Sequence, residues 1–388
     1  MFTKYIAGKI GIVAAFIASP FFAAAQTEPN VNADGRRNVP PTGVPFLRIS
    51  PDARSGGMGE TGIAISADAN SVFWNLSKLP FAEQKTSITA SYTPWLRDLI
   101  GDMYLANVAG YHQLDDKQAV GFSLRYFSMG SINLTTYQGQ EMGSVRPREM
   151  AFDAGYARKL SDRWAMGGAL RYIHSSLGNA QSSENQGKLY KPANAVSADL
   201  SFSYHNEFQQ KNNQDGAIDF GVTVSNIGTK ISYANGGDKL FLPANLGVGA
   251  AYTHRADEDN KITFALDLNK MLVPSFNDQH EYTSGKGPLD AAFSSFNDAP
   301  GGFKNEIKEV MVSVGVEYWY QNQFALRTGY FYESEYIGNR KYFTAGAGIK
   351  LNTAGLNFSY IIPSGSGTTR NPLSNTMRFS LMLDLGKK

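Results

Sequence analysis

Alternation with a period of two governs the chain from about residue 86 to its end. Successive side chains of a strand point to opposite sides, so each alternating segment carries one apolar face and one small or polar face. In the cleanest case Val310, Val312, Val314, Val316, Tyr318 and Tyr320 share one face, against Glu309, Met311, Ser313, Gly315 and Glu317 on the other. The same rhythm sets Val196, Ala198, Leu200, Phe202 and Tyr204 against Ser197, Asp199, Ser201, Ser203 and His205. It returns at Met377, Phe379, Leu381, Leu383 and Leu385, which alternate with Arg378, Ser380, Met382 and Asp384. The pattern predicts strands near 86–93, 103–113, 117–128, 148–160, 163–175, 194–208, 216–226, 243–256, 260–270, 307–320, 323–335, 340–350, 355–362 and 374–386.

Fourteen is an even number, and these lengths suit strands of about 9–11 residues crossing a bilayer at a tilt. Short connections at 114–116, 161–162, 257–259, 321–322 and 351–354 fall between long ones at 129–147, 176–193, 227–242 and 271–306. Short periplasmic turns opposite long outer loops are the habit of outer-membrane barrels. Gln209 to Asp215 is long for such a turn, and Tyr336 to Asn339 is short for such a loop. A soluble β-sandwich would share the alternation, but it would bury Glu309 and Glu317 without partners. Tyrosines at 156, 172, 204, 252, 318, 330, 332 and 360 lie toward strand ends, where they would form interfacial girdles. The expected fold is therefore all-β, a 14-stranded antiparallel transmembrane β-barrel over residues 86–388.

Two other segments complete the organisation. Lys4 and Lys9 precede a small and apolar run from Ile10 to Ala25 that ends in three alanines. The run is shorter than the roughly 18–20 apolar residues of a spanning helix and is interrupted by Pro20, so residues 1–25 read as a signal peptide cleaved after Ala25. Residues 26–85 lack long alternation and read as a plug or hatch inside the barrel, with an extended start at Pro40, Pro41 and Pro45. Ala67 to Leu79 is a candidate helix, with Asp68 near its start. Small residues on the polar strand faces, Gly121, Gly167, Gly249 and Gly348, imply a lumen that something else occupies.

Charge and composition then narrow the function. Without residues 1–25 the chain carries 34 basic and 34 acidic residues, and it lacks the concentrated basic face of a nucleic-acid binder. With no cysteine there is no thiol catalysis, disulfide, Cys-bound zinc or lipidated cysteine anchor. The five histidines show neither zinc-site spacing nor an adjacent nucleophile, so no metal and no cofactor is expected. Gly57, Gly59 and Gly62 match G-x-G-x-x-G, but without a βαβ context they read as a tight turn rather than a pyrophosphate cradle. Gly365-Ser366-Gly367 is only a degraded form of a hydrolase elbow. The inward-facing charges Arg125, Arg171, Asp199, Asp219, Asp267, Glu317, Arg327, Lys350, Arg378 and Asp384 are read as paired with one another or with the plug rather than as a pore lining. Tyr137, Phe276, Leu289, Phe293, Phe296 and Phe303 fall on long outer loops and are candidate partner contacts, with a membrane contact or a self-packed loop as the alternatives.

The run Phe46 to Ser55, followed by Gly57-Met58-Gly59-Glu60-Thr61-Gly62 and by Asp68 to Asn75, resembles the entry segment of the PorV family. Tyr92, Pro94 and Trp95 extend the resemblance, which singles out Arg48, Asp52, Arg54, Gly57, Gly59, Gly62, Asp68, Asn70, Trp74 and Asn75 as hatch residues. It implies a FadL-like barrel with an N-terminal hatch, serving type IX secretion in the outer membrane of Bacteroidota. It further implies a non-enzymatic role. Cargo would be received through its C-terminal domain at the translocon barrel and passed to the sortase attachment complex at the cell surface. The entry motif is shared by other hatch barrels, and the chain ends Leu385-Gly386-Lys387-Lys388 rather than in the terminal aromatic of many barrels. A FadL-like transporter of hydrophobic small molecules is the rival reading.

Overall fold

The computed structural model describes residues 39–96, 101–135, 138–177, 191–210, 214–234, 237–275, 285–363 and 373–387. The proposed signal peptide and its cleavage site, Tyr137, Phe276 and Gly365 to Gly367 lie outside the described residues.

Among the described residues sixteen strands run β1 (Gln84–Pro94), β2 (Met103–Gln113), β3 (Gln118–Met129), β4 (Ile132–Thr135), β5 (Glu141–Val145), β6 (Arg148–Lys159), β7 (Trp164–Ser176) and β8 (Ala193–Gln210). They continue β9 (Gln214–Gly228), β10 (Asn245–Arg255), β11 (Asn260–Met271), β12 (Val310–Tyr320), β13 (Phe324–Tyr332), β14 (Lys341–Leu351), β15 (Ala354–Ile361) and β16 (Met377–Lys387). Fourteen of them close into one antiparallel barrel in which β1 pairs with β16. Closure gives every wall strand two neighbours, which satisfies its backbone where no water can. β4 and β5 form a separate hairpin within the 129–147 loop, too short for the alternation to reveal.

The wall has the faces that the sequence predicts. Along β12, Met311, Ser313, Gly315 and Glu317 are buried toward the lumen, while Val314 is 44% exposed on the outside. Outward aromatics gather at both ends. Tyr92, Tyr104 and Tyr126 stand in a row near the long-loop end, and Trp164, Tyr204 and Phe220 in another near the short-turn end.

Three local expectations change, and one irregularity appears that the alternation does not show. The long connection after β8 disappears, because β8 and β9 continue pairing as far as Gln210 and Gln214. The strand expected from 307 begins at Val310, since a short helix, Phe303–Lys308, occupies the residues before it. The helix expected over Ala67 to Leu79 breaks into Ser71–Trp74 and a 3-10 segment, Leu76–Phe81. Asn75 between them is extended, φ −165°, because its side chain accepts from the Ser77 amide and donates to the Ile63 carbonyl instead of continuing the helix. Finally, the register of β8 against β9 shifts at Asp199, whose carboxylate accepts from the amide of Asn226 at φ 61°.

Candidate functional site

The N-terminal segment runs through the lumen from one end of the wall to the other. At the long-loop end Gly43 donates to the Phe241 carbonyl, and Val44, Phe46 and Leu47 join Leu105, Phe127, Ile173, Ile231 and Leu242 in a buried apolar cluster. At the short-turn end Leu76 and Leu79 pack with Tyr111, Ala119, Ala157 and Ala169. Leu79 and Ala82 also accept from the Gln113 amide group.

Between these ends the small strand residues make room for this segment. A Cβ on Gly121 would lie 2.8 Å from Val72, one on Gly167 3.0 Å from the Ser77 amide, and one on Gly249 2.7 Å from Ile63. Gly348 instead accommodates Arg327. The three glycines of the G-x-G-x-x-G match have the same cause. Gly57 lies over Gly346, Gly62 lies beneath the Trp74 ring, and Gly59, at φ +67°, presses on the backbone of β12 and β13. The spacing therefore records close approaches, and the spots a phosphate would need are filled by protein.

The other hatch candidates hold the segment together. Asp52 caps the helical turn Ala53–Gly57 by accepting from the Ser55 amide at 2.8 Å, and it accepts from the Trp74 indole at 2.8 Å. Burial, reinforced by Asp68, pushes the Asp52 carboxyl up from its ordinary value. Asp68 accepts from the Asn70 amide and pairs with Arg54 at 3.1 Å. Arg48 lies further out, with its guanidinium 3.5 Å from the Met311 sulfur. Burial and the nearby Arg340 push it down to about 10.

The inward charges that the sequence singles out find partners, as the neutral balance suggests. Glu317 receives Arg54 at 2.8 Å and Arg327 at 2.7 Å, all three side chains being buried. Burial alone would lower the Arg54 guanidinium, but Glu317 and Asp68 outweigh it and hold it above its ordinary value. Arg378 reaches Glu60 at 2.9 Å, Lys350 reaches Asp384 at 2.6 Å, and Asp267 accepts the Gly62 and Ile63 amides. Asp153 joins Arg125 and Arg171, and Arg171 continues to Asp199.

Lys78 and Glu60 escaped the sequence reading. Lys78 is a lone cation in an otherwise apolar stretch, which is the only signal it offers. Its ammonium donates to the carbonyls of Gly62 at 2.6 Å and Ile65 at 2.9 Å. Burial pushes it down to about 8. An unfolded lysine titrates near 10.4. Between those values the unfolded chain binds more protons, so the stability contributed at this site rises with pH. We expect the denaturant midpoint of the wild-type chain to climb from pH 8 to pH 10 relative to Lys78→Met, by up to about 1.4 kcal/mol per pH unit. Parallel pH profiles for the two chains would refute this.

A second set of candidates lies on the outer rim. The helix Pro288–Ser294 buries its small residues, Ala291 and Ala292, against Phe241, Val273, Ala244 and Leu272. Its large apolar residues point the other way: Leu289 is 61% and Phe293 77% exposed, joined by Phe296, Phe303 and Ile307. This reverses the usual amphipathic arrangement. The platform is also held firmly. Lys270 pairs with Glu306 at 2.9 Å and Glu309 at 2.6 Å, and Ser275 donates to Glu309. These aromatics are thus displayed rather than self-packed.

The sequence profile described as "Type IX secretion system protein PorV" matches residues 32–278, well over half of the chain. No curated protein sequence matches it. Among solved structures, the toluene transporter TodX of P. putida aligns with a TM-score of 0.50 at 11% identity, covering 87% of this chain and 99% of TodX. The toluene transporter TbuX of Ralstonia pickettii gives 0.48 at 12%, over 88% and 99% of the two chains. A Pseudomonas aeruginosa FadL homologue gives 0.41 at 10%, over 90% and 100%. At such identity the TodX likeness is one of fold alone.

Proposed function

Since the chain belongs to the PorV family of type IX secretion system proteins and forms an outer-membrane barrel, we propose that it is a non-enzymatic cargo carrier of that system. In this reading it receives secreted proteins through their C-terminal domains at the translocon barrel and hands them to the sortase attachment complex. Residues 1–25 are removed after Ala25, and the segment to residue 85 serves as the plug. The observation that carries the proposal is the helix Pro288–Ser294 with its reversed faces, which holds Leu289 and Phe293 exposed on a firmly anchored support. Exposed aromatics on a rigid mount are what a protein partner can bury at little ordering cost. Transfer onward requires only that successive partners differ in affinity.

The test is capture of an isolated cargo C-terminal domain by the detergent-solubilised chain. Phe293→Asp combined with Phe303→Asp should weaken capture by at least about 2 kcal/mol, some thirty-fold. The double variant should keep its heat-modifiable migration. Undiminished capture would overturn the proposal. The rival, a transporter of hydrophobic small molecules, has less support. It calls for an apolar pocket between hatch and wall, whereas among the described residues the outer mouth is packed with side chains and the cavity at the opposite end sets Lys78, Arg255, Lys261, Glu83 and Glu207 among its apolar residues.

A further inference from the structure

Below Lys78 and Phe81, at the short-turn end, the lumen widens into a cavity of about 190 Å³. That end faces the periplasm if the long loops face outward. Most charges on its wall cancel. Lys350 takes Asp384, His205 lies 2.6 Å from Asp219, and Arg54 takes Asp68. What remains is cationic. Lys78 donates only to carbonyls, and among the described residues neither Lys261 nor Arg255 has a carboxylate within 4 Å. Against these three cations stand Glu83 and Glu207, the latter 3.7 Å from the His205 ring.

Lys261 sits beside a flat surface. It faces Trp319 directly across the β11–β12 ladder, its ammonium 6.0 Å from the indole ring. The Arg327 guanidinium lies 5.4 Å from the same ring, but Glu317 already neutralises it. A free cation next to an aromatic face, in a cup with surplus positive charge, favours an anionic group on a flat apolar body. The packed outer mouth leaves this end as the entrance.

We infer that the cup is a binding site for a small aromatic anion, a carboxylate or a phosphate ester, drawn from the periplasmic side. Lys261 takes the anionic group and Trp319 supports the ring. This site is independent of cargo binding at the outer rim.

Calorimetric titration of the full chain in lipid nanodiscs tests it, with benzoate and phenyl phosphate as probes and benzylammonium as the charge-reversed control. At least one anion should bind saturably, and whichever binds more tightly identifies the acid group. Benzylammonium should bind at least about ten-fold more weakly than that anion. Lys261→Gln and Trp319→Leu should each weaken the anion about ten-fold without altering heat-modifiable migration. In the unmodified chain, saturating anion should also protect the Lys261 amine from acylation, a readout that needs no substitution. Absence of saturable binding by both anions, equal binding of benzylammonium, or unprotected acylation of Lys261 would each overturn the inference.

Discussion

Gly59→Ala should unseat the lumen segment and open the barrel. A Cβ at this position would lie 2.6 Å from the Tyr330 amide nitrogen, 2.7 Å from the Val314 carbonyl oxygen and 2.8 Å from the Tyr330 carbonyl oxygen. These atoms belong to the β12–β13 wall and cannot retreat without breaking its ladder. Gly59 is also at φ +67°, where a side chain costs about 1–2 kcal/mol. Strain and overlap together should exceed about 3 kcal/mol. The wall retains its own pairing, so the segment is what must give way. The expected result is a folded, heat-modifiable barrel that conducts ions in planar bilayers where the wild type is silent. Gly139→Ala is the matched control: it shares a positive φ, 80°, but a Cβ there meets nothing within 4 Å. If Gly59→Ala stays as silent and as stable as Gly139→Ala, the segment is not seated as tightly as these distances demand.

Glu317→Ala should be the most destabilising change to a single charge. One carboxylate serves two guanidiniums, Arg54 from the lumen segment and Arg327 from the wall, and the Glu317 side chain is 1% exposed. Its loss would strand the buried Arg327 and leave Arg54 with Asp68 alone, and breaking such an arrangement typically costs about 3–5 kcal/mol. Denaturant unfolding in detergent would read the loss as a lowered midpoint. Replacing the wall pair, Glu317→Leu with Arg327→Met, removes the stranded charge while Arg54 keeps Asp68, and should recover most of the stability. A single Glu317→Ala variant as stable as the wild type would show that the two arginines find other partners.

The two predictions mark how far sequence carries. Period-two alternation is local, so it shows all fourteen wall strands, which residues face lipid, and which connections are turns. It locates β2 with the same boundaries, Met103–Gln113, that the structure has. The hatch was legible as a motif, Phe46 to Asn75, but not as a mechanism. No local rule says that Gly62 is small because Trp74 lies over it, or that Asn75 ends one turn in order to cap the next. The rim was legible in part. A loop rich in phenylalanine is visible in the sequence, yet the short helices that display them are set by buried Ala291 and Ala292, which look unremarkable in a list of residues.

By itself, then, the sequence determined the strand count, the inward and outward faces and the family of the fold, because these depend on neighbours one to four positions away. The tertiary structure decided which charge meets which, as with Arg54 and Glu317, 263 positions apart. It also decided that Lys78 is buried on carbonyl oxygens and that Lys261 stands free beside Trp319. Closing the barrel brings distant strands around a common lumen, and the pairings there follow from distance in space, which alternation along the chain does not encode.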